Sequence, residues 1–200
     1  MKKVLVIGAS GLLGKNIVKL LADDAEVITA SLSDPNNPVD ISNTDSIKSL
    51  FENVGLVDAV ICTAGIANFA DWNKAADSDW SFAISNKLMG QINIIRHAME
   101  KVKTGGAIVL TTGILAQYPM PGSSIVSTVN AGLEAAIKTL KVELDGSVRI
   151  GAISPGWIAE TLVAMGMDEK QGMPAIEVAQ AYIDYLNKGN HGDIVVTSSR

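Results

Sequence analysis

The chain contains one cysteine and two histidines among its 200 residues. A single cysteine excludes a disulfide within the chain, and Cys62, at the end of an apolar run, fits a small core residue better than a nucleophile. The isolated residues His97 and His191 do not form the cluster that a metal site requires. The sequence therefore predicts neither a disulfide framework nor a metal centre.

Long apolar runs and an excess of basic charge are also missing. Lys and Arg number 16 against 21 Asp and Glu, a net charge of −5, which argues against nucleic acid or an anionic membrane as a partner. No window of about 20 uncharged apolar residues is present, so no membrane span is expected. The apolar run after the first lysines is too short for a secretory signal. These absences predict a cytoplasmic protein.

The sequence does contain short apolar runs that alternate with segments of helical periodicity. Strands are predicted over residues 3–7, 26–31, 57–65, 107–113, 148–154 and 193–198. Helices are predicted over residues 12–22, 43–55, 77–103, 124–144 and 174–187. This order predicts an α/β fold, a Rossmann-type doubly wound, mostly parallel sheet with helices on both faces in three layers. No linker interrupts the pattern, so residues 1–200 are predicted to form one domain.

A glycine-rich loop follows the first strand, with Gly8, Gly11 and Gly14 at G-x-x-G-x-x-G spacing. Glycines here permit a tight turn, let the backbone approach a pyrophosphate, and bring the helix close to the strand. The helix start adds free N–H groups for phosphates. The loop predicts a dinucleotide site, with a glycine-rich turn without ligand as the alternative. The loop residues predicted to bind are Gly8, Ser10, Gly11, Leu12, Leu13 and Gly14.

The end of the second strand distinguishes NAD from NADP, because an acidic residue there binds a ribose hydroxyl and an arginine binds a 2′-phosphate. Neither type stands at Ser31 or Leu32, and Asp34 comes two or three residues late. Ser31 and Ser33 have hydroxyls that can donate to a phosphate. The missing carboxylate favours NADP, while the missing arginine keeps NAD open.

Five segments in order resemble the short-chain dehydrogenase/reductase family, and most of all its compact bacterial members without a long substrate lid. They are the glycine loop, VDIS at 39–42, CTAG at 62–65, ISNKLMGQINIIRHAM at 84–99 and ISPGWIAET at 153–161. The resemblance implies a short additional strand at 38–41, which would make seven strands. It also implies a homodimer or homotetramer formed through the helices at 77–103 and 124–144.

The resemblance further implies which residues hold the cofactor. Adenine would contact the Asp40 side chain and the Ile41 backbone, and the nicotinamide carboxamide would contact the Ile158 backbone and the Thr161 hydroxyl. The other cofactor contacts expected are Ser31, Thr63, Ala64, Gly65, Asn130, Pro155 and Gly156.

The resemblance breaks at the catalytic centre, where the family carries Tyr-x-x-x-Lys and a serine. Alignment through NAGLEAAIKTLKVEL places Val126 at the tyrosine, Asn130 at the lysine and Gly113 at the serine. Of the usual four catalytic groups only the helix asparagine is matched, by Asn86. Valine has no proton to give, and general acid–base catalysis is worth about 10²–10⁴-fold. An ordinary alcohol dehydrogenase is therefore not expected.

Three side chains are predicted to take over catalytic roles: Asn86, Thr112 and Tyr118. Thr112 follows a strand and can hydrogen-bond a carbonyl, and Tyr118 lies in the next loop and has a phenolic proton; each also fits an ordinary structural role. Lys87 is a further candidate, but helix neighbours point about 100° apart, so Asn86 and Lys87 cannot both face the site squarely. The apolar segment 157–173 either covers a small pocket or simply connects two elements.

Two functions fit these features. The first is an NAD(P)-dependent oxidoreductase with an atypical active site, acting on a small carbonyl or an enone. An enone suits the missing tyrosine, because the product proton can come from water. The second is a catalytically silent dinucleotide-binding sensor or regulatory protein.

Overall fold

Six parallel strands form the centre of the computed structural model, which describes residues 1–198. The strands are β1 (Lys2–Ile7), β2 (Ala25–Ala30), β3 (Val57–Cys62), β4 (Val102–Thr111), β5 (Arg149–Pro155) and β6 (Ile194–Thr197). Their order in the sheet is β2-β1-β3-β4-β5-β6, and every pair is parallel. The winding direction reverses between β1 and β3, where open α/β sheets bind ligands. The last two residues of the predicted domain lie outside the described residues.

Residues 1–198 contain seven α-helices, of which α1, α2, α4, α5 and α7 pack on the two faces of the sheet. They are α1 (Leu12–Leu21), α2 (Thr44–Val54), α3 (Asp77–Ala83), α4 (Gly90–Ala98), α5 (Ser124–Glu143), α6 (Ala159–Ala164) and α7 (Ala175–Lys188). A π-helical segment, Ile84–Met89, joins α3 to α4, and 3-10 turns occupy Ile114–Ala116 and Glu169–Gln171. None of these helices has the length and apolar character needed to cross a bilayer.

The central strand β1 shows why the fold has three layers. Its side chains alternate between the faces of the sheet. Val4 and Val6 pack into a core with α1 and α7, whereas Leu5 and Ile7 pack into a core with α2, α4 and α5. All four side chains are fully buried. Burial on both faces explains the continuous apolar run, and the prediction of a doubly wound sheet between two helical layers is confirmed.

The helix predicted over 77–103 is confirmed as far as Ala98 and wrong over its last five residues. The π segment interrupts it, α4 ends at Ala98, and β4 starts at Val102 rather than at residue 107. Gly105 lies inside this strand instead of ending a helix, and its N–H donates to Ser147 O at 2.7 Å. Backbone pairing in the sheet sets the boundary between α4 and β4. The helical periodicity of a sequence carries no information about such pairing.

The additional strand implied at residues 38–41 is also wrong. Pro38 forms only an isolated parallel bridge with Ser31, and Val39 N donates to Ser31 O at 2.9 Å. Proline has no N–H to donate, so a ladder cannot continue through it. The single bridge still brings Val39, and with it Asp40, to the end of β2.

The segment 157–173, predicted to be a loop, contains α6 and a 3-10 turn. Ile158 forms an isolated bridge with Met173, so the segment returns to its own start. Leu162 of α6 is fully buried. Helical structure in so short a connection was not signalled by the sequence, because it spans less than two turns of apolar periodicity.

Candidate active site

The passage from β1 to α1 is a loop that requires glycine at its first position. Gly8 has a φ of +87°, and a Cβ there would lie 2.7 Å from Ala64 N. Gly11 is the N-cap of α1 and provides no side-chain cap. Since the bond from Lys15 N to Gly11 O, at 3.0 Å, is the first of the helix, the amides of its first turn have no intrahelical acceptor. Such free amides are what binds phosphate groups at helix starts.

One side of this loop opens into a cavity of about 280 Å³ at the carboxyl ends of β1, β2 and β3. We call it the glycine-loop cavity. Asp40 lies in its wall, and its Oδ1 accepts hydrogen bonds from Ser42 N at 2.9 Å and Ser42 Oγ at 2.7 Å. The predicted cofactor residues that line it are Gly8, Ser10, Gly11, Ser31, Asp40, Ile41, Thr63, Ala64 and Gly65.

The end of β2 presents a hydroxyl to this cavity and no charge. Ser31 is buried there. The carboxylate of Asp34 is instead used in local hydrogen bonds. It accepts hydrogen bonds from Thr29 Oγ1 at 2.8 Å, Asn36 N at 3.0 Å and Asn37 N at 2.9 Å. Asp40 is therefore the only carboxylate among the residues that line the glycine-loop cavity.

The other side of the loop faces a second cavity, of about 240 Å³, at the carboxyl ends of β4 and β5. We call it the lysine cavity, after Lys87 in its wall. The predicted site residues that line it are Leu13, Thr112, Asn130, Pro155, Gly156, Ile158 and Thr161. Two of the predicted glycine-loop residues, Leu12 and Gly14, line neither cavity. Gly14 instead allows α1 to pack closely against the loop, because a Cβ at this position would lie 2.7 Å from Ala9 Cα.

Lys87 is a buried cation, with only 9% of its surface exposed. Its Nζ donates to Thr111 O at 3.3 Å. Burial lowers the pKa of this ammonium to about 8, against a weaker opposing effect of the Cys62 thiol. No carboxylate in the described chain forms an ion pair with it. A buried cation without a counter-ion is costly, which makes it a candidate for function.

Gln91 anchors the helix that carries this lysine. Its Nε2 donates to Thr111 O at 2.9 Å, and its Oε1 accepts from Thr111 N at 3.0 Å. Lys87 and Gln91 are four residues apart and share one helix face. Gly65 provides the space beside them, since a Cβ there would lie 3.1 Å from Lys87 Cγ. These contacts hold the lysine side chain against the end of β4.

Asn86, the predicted catalytic asparagine, does not lie in the lysine cavity. Its Oδ1 accepts from Ile66 N at 2.7 Å, and it lines the glycine-loop cavity instead. Both Asn86 and Lys87 belong to the π segment Ile84–Met89, where the turn holds one residue more than in an α-helix. Sequence reasoning at 3.6 residues per turn favoured Asn86 over Lys87, whereas Lys87 is the one of the two that lines the lysine cavity. The sequence did contain one signal for Lys87, because this lysine directly follows an expected site residue, Asn86.

Thr112 lines the lysine cavity, but its hydroxyl hydrogen is directed away from it. Its Oγ1 donates to Glu134 Oε1 at 3.1 Å. Glu134 is almost completely buried, and its Oε2 accepts from Gln117 Nε2 at 2.5 Å. In this arrangement Thr112 can accept a hydrogen bond from a ligand but cannot donate one. It is not placed to polarise a carbonyl, which was the role predicted for it.

Asn130, at the position that the family resemblance assigns to a lysine, presents an unsatisfied oxygen. Its Oδ1 is buried and has no hydrogen-bond partner among the described residues. Gly113 lies against the same carboxamide, because a Cβ there would be 2.9 Å from Asn130 Nδ2. Buried acceptors without a donor are rare and costly. A hydroxyl or N–H group of a ligand is the natural partner for this oxygen.

Tyr118 is not brought to either cavity. It is 72% exposed and lines a separate surface depression with Gln117, Glu134 and Lys138. Of the three side chains predicted to be catalytic, only Thr112 therefore lies in the lysine cavity. Val126, at the tyrosine position of the resemblance, lines that cavity with a side chain that has no titratable proton.

Comparison with known sequences gives a likeness over nearly the whole chain. The family model described as Enoyl-(Acyl carrier protein) reductase matches residues 12–195. The 3-oxoacyl-(acyl-carrier-protein) reductase FabG of Thermotoga maritima is 27% identical over 194 residues, covering 84% of this chain and 78% of that protein. The acetoacetyl-CoA reductase of Cupriavidus necator is 26% identical over 185 residues, covering 79% of this chain and 75% of that protein.

Solved structures are similar over the same extent. The protein lin1944 from Listeria innocua has a TM-score of 0.93 and 32% sequence identity, covering 98% of this chain and all of the other. A small-chain dehydrogenase in complex with NADPH has a TM-score of 0.87 and 26% identity, covering 98% of this chain and 96% of the other.

Proposed function

Because the chain belongs to the short-chain dehydrogenase/reductase family, we propose that it forms one NAD(P)-binding domain and transfers a hydride between the nicotinamide and a small carbonyl or enone. The observation that carries this proposal is the placement of two cavities on either side of the start of α1. Gly8 and Ser10 line one of them, and Leu13 lines the other. A dinucleotide placed across this helix start would put one end in each cavity.

The residues present fit such a dinucleotide. The free amides of the first turn of α1 would hold the pyrophosphate, and Asp40 and Ile41 would hold the adenine. The unpartnered Oδ1 of Asn130 would accept a hydrogen bond from a hydroxyl of the nicotinamide ribose. Ile158 and Thr161 would contact the carboxamide. Asp40 and Ile41 belong to the wall of the glycine-loop cavity, and Asn130, Ile158 and Thr161 belong to the wall of the lysine cavity.

We favour NADP over NAD. Ser31 offers a hydroxyl at the end of β2, and the nearest acidic residue along the chain, Asp34, is bonded within its own turn. A carboxylate at that place would repel a 2′-phosphate, whereas a hydroxyl can donate to it.

The substrate is small, because the lysine cavity measures about 240 Å³ and has to accept the reacting end of the cofactor as well. Its walls include the apolar side chains of Ile114, Val126 and Trp157. Such walls exclude water from the reacting carbon and strengthen hydrogen bonds to the substrate oxygen. Small aldehydes, ketones and enones meet these requirements.

The proposal is tested first by binding and then by turnover. NADPH fluorescence titration is expected to give saturable binding at micromolar concentrations. Stopped-flow mixing of the NADPH complex with a panel of small aldehydes, diketones, 3-oxoesters and enones is expected to reveal oxidation by at least one class. No change in fluorescence with millimolar NADPH or NADH would refute the proposal.

The rival function is a dinucleotide sensor without catalysis, and the valine at position 126 favours it. Saturable NADPH binding with no oxidation by any compound of the panel would support this rival. A cytoplasmic location and assembly into a homodimer or homotetramer stay predictions from the sequence.

A further inference from the structure

Lys87 has no structural task that explains its burial. The carbonyl oxygen of Thr111, its hydrogen-bond acceptor at 3.3 Å, already accepts from Gln91 Nε2 at the shorter distance of 2.9 Å. No described carboxylate pairs with the ammonium. An apolar side chain of the same length would fill the same space without the cost of burying a charge. The burial of this cation is therefore better explained by contact with a ligand than by a role in the fold.

We propose that Lys87 is a catalytic residue whose ammonium gives the substrate oxygen its proton during carbonyl reduction. This inference rests on the proposed function and names the proton donor of the same site. Among the residues that line the lysine cavity, all within the described chain, Lys87 is the only titratable one. The Thr112 hydroxyl donates to Glu134, and Val126 has no proton to give.

The step balances with one proton from the lysine. As the carbonyl carbon receives a hydride from the reduced nicotinamide, the π electrons of the C=O bond move onto the oxygen. The Nζ–H bond breaks, its proton joins that oxygen, and an alcohol and a neutral amine result. The amine then regains a proton from solvent. In the reverse direction, the neutral amine accepts the alcohol proton.

Lys87 and Asn130 line the same cavity from two different elements. The resemblance expects a lysine at position 130 on α5, where this chain has Asn130, and an asparagine on the helix after β3, where this chain has Asn86. Lys87, the neighbour of Asn86 in the π segment, supplies an ammonium to the cavity that Asn130 also lines. The positive charge is therefore kept in the cavity, but another element carries it.

The surroundings of Lys87 favour a proton donor that works near neutral pH. Burial brings the pKa of the ammonium down to about 8, so the charged form predominates at pH 7 and the ammonium is a ready proton donor. Cys62, from the end of β3, is the titratable group that acts on it. Thr111 and Asn130 face the cavity from β4 and α5 and do not titrate in this range.

The first experiment observes the amine directly, without turnover. Protein labelled with ¹³C at the lysine Cε is titrated by NMR, and the Lys87 signal is assigned by its absence in Lys87→Met. The expected midpoint lies near pH 8, and addition of NADPH is expected to shift this signal more than any other lysine signal. A midpoint near 10.5 that NADPH does not move would overturn the proposal.

The second experiment measures single-turnover reduction, with the most reactive compound of the carbonyl panel. Lys87→Met is expected to lower the rate constant about 10²–10⁴-fold, with NADPH affinity changed less than about threefold. The wild-type rate constant is expected to fall as pH rises through 8, and the variant is expected to lack this dependence. Lys19→Met, which removes an exposed lysine from α1, is the matched control and keeps wild-type rates.

Failure of this inference is distinguishable from failure of the proposed function. If wild-type protein does not bind NADPH, or binds it and reduces nothing, the proposed oxidoreductase falls and the proton donor with it. If wild-type protein reduces a carbonyl and Lys87→Met does so within threefold, only the role of Lys87 is refuted. A loss of NADPH affinity with an unchanged rate constant would make Lys87 a cofactor ligand and would also refute the proton transfer.

Discussion

The hydroxyl of Thr112 donates a hydrogen bond to the buried carboxylate of Glu134, with 3.1 Å between Oγ1 and Oε1. Gln117 supplies a second donor to the same carboxylate. Two donors make burial of this charge tolerable beside an apolar cavity. The same bond removes Thr112 from the hydrogen-bond donors available to a ligand, which leaves Lys87 as the charged donor of the site.

Replacing this carboxylate is expected to destabilise the fold. Glu134→Ala leaves the hydroxyl of Thr112 and the amide of Gln117 without their acceptor, and we expect the free energy of unfolding to fall by about 1–3 kcal/mol. Urea unfolding followed by circular dichroism measures this change. Glu143→Ala, at the exposed end of α5, is the control and is expected to change stability by less than about 0.5 kcal/mol. Equal stability of the two variants would contradict the assigned network.

Substitution of the first loop glycine separates backbone strain from ligand binding. Gly8 and Gly55 both have positive φ, +87° and +69°, but a Cβ would meet Ala64 N at 2.7 Å only at Gly8 and would meet nothing within 4 Å at Gly55. Both alanine variants are expected to lose about 1–2 kcal/mol of stability through backbone strain, and Gly8→Ala is expected to lose more because its Cβ also meets backbone atoms. Only Gly8→Ala is expected to lose NADPH affinity as well, at least tenfold. Fluorescence titration at a temperature where both variants are folded checks this difference.

Lys87 is expected to reduce stability at neutral pH. Below pH 8 both the folded and unfolded states carry the ammonium, and the full cost of burying it is present. Because burial lowers the folded-state pKa from 10.5 to about 8, the unfolded state binds more protons between these values and stability rises with pH there. The gap corresponds to roughly 3 kcal/mol.

Lys87→Met is therefore expected to be more stable than the wild type at pH 7, by up to about 3 kcal/mol. The advantage should shrink between pH 8 and pH 10.5. Guanidinium unfolding of both proteins across this range measures the difference, and a difference that does not depend on pH would argue against a buried ammonium.

Cofactor preference is expected to depend on the residue at the end of β2. Ser31 is buried in the wall of the glycine-loop cavity, so Ser31→Asp brings a negative charge to the place where a 2′-phosphate would lie. We expect the ratio of NADPH to NADH affinity to fall at least tenfold. Ser33→Asp adds the same charge at an exposed residue outside the cavity wall and should leave the ratio within about threefold. Equal ratios in the two variants would place the 2′-phosphate elsewhere.

Sequence reasoning predicts the six strands and the two helical layers, and most residues expected to hold a cofactor line one of the two cavities, because these features depend on local periodicity and on glycine geometry. Val4 to Ile7 are apolar because they are buried on both faces, and Gly8 is required by a positive φ. Such constraints act on one residue at a time. They are visible in a single sequence.

The wall of the lysine cavity was less predictable, because its geometry depends on how elements meet. Whether Asn86 or Lys87 faces inward depends on the π turn, which has no distinct sequence period. The hydrogen bond of Thr112 to Glu134 joins the end of a strand to a helix residue 22 positions later. The exposure of Tyr118 depends on the conformation of its loop. None of these relationships is encoded by spacing alone.

The close approach of Gly113 to Asn130 limits how these two positions can vary. A Cβ at 113 would lie 2.9 Å from Asn130 Nδ2, so a side chain there would require the carboxamide of Asn130 to turn aside. Substitutions at the two positions are therefore expected to be coupled, with glycine favoured at 113 while this carboxamide keeps its place.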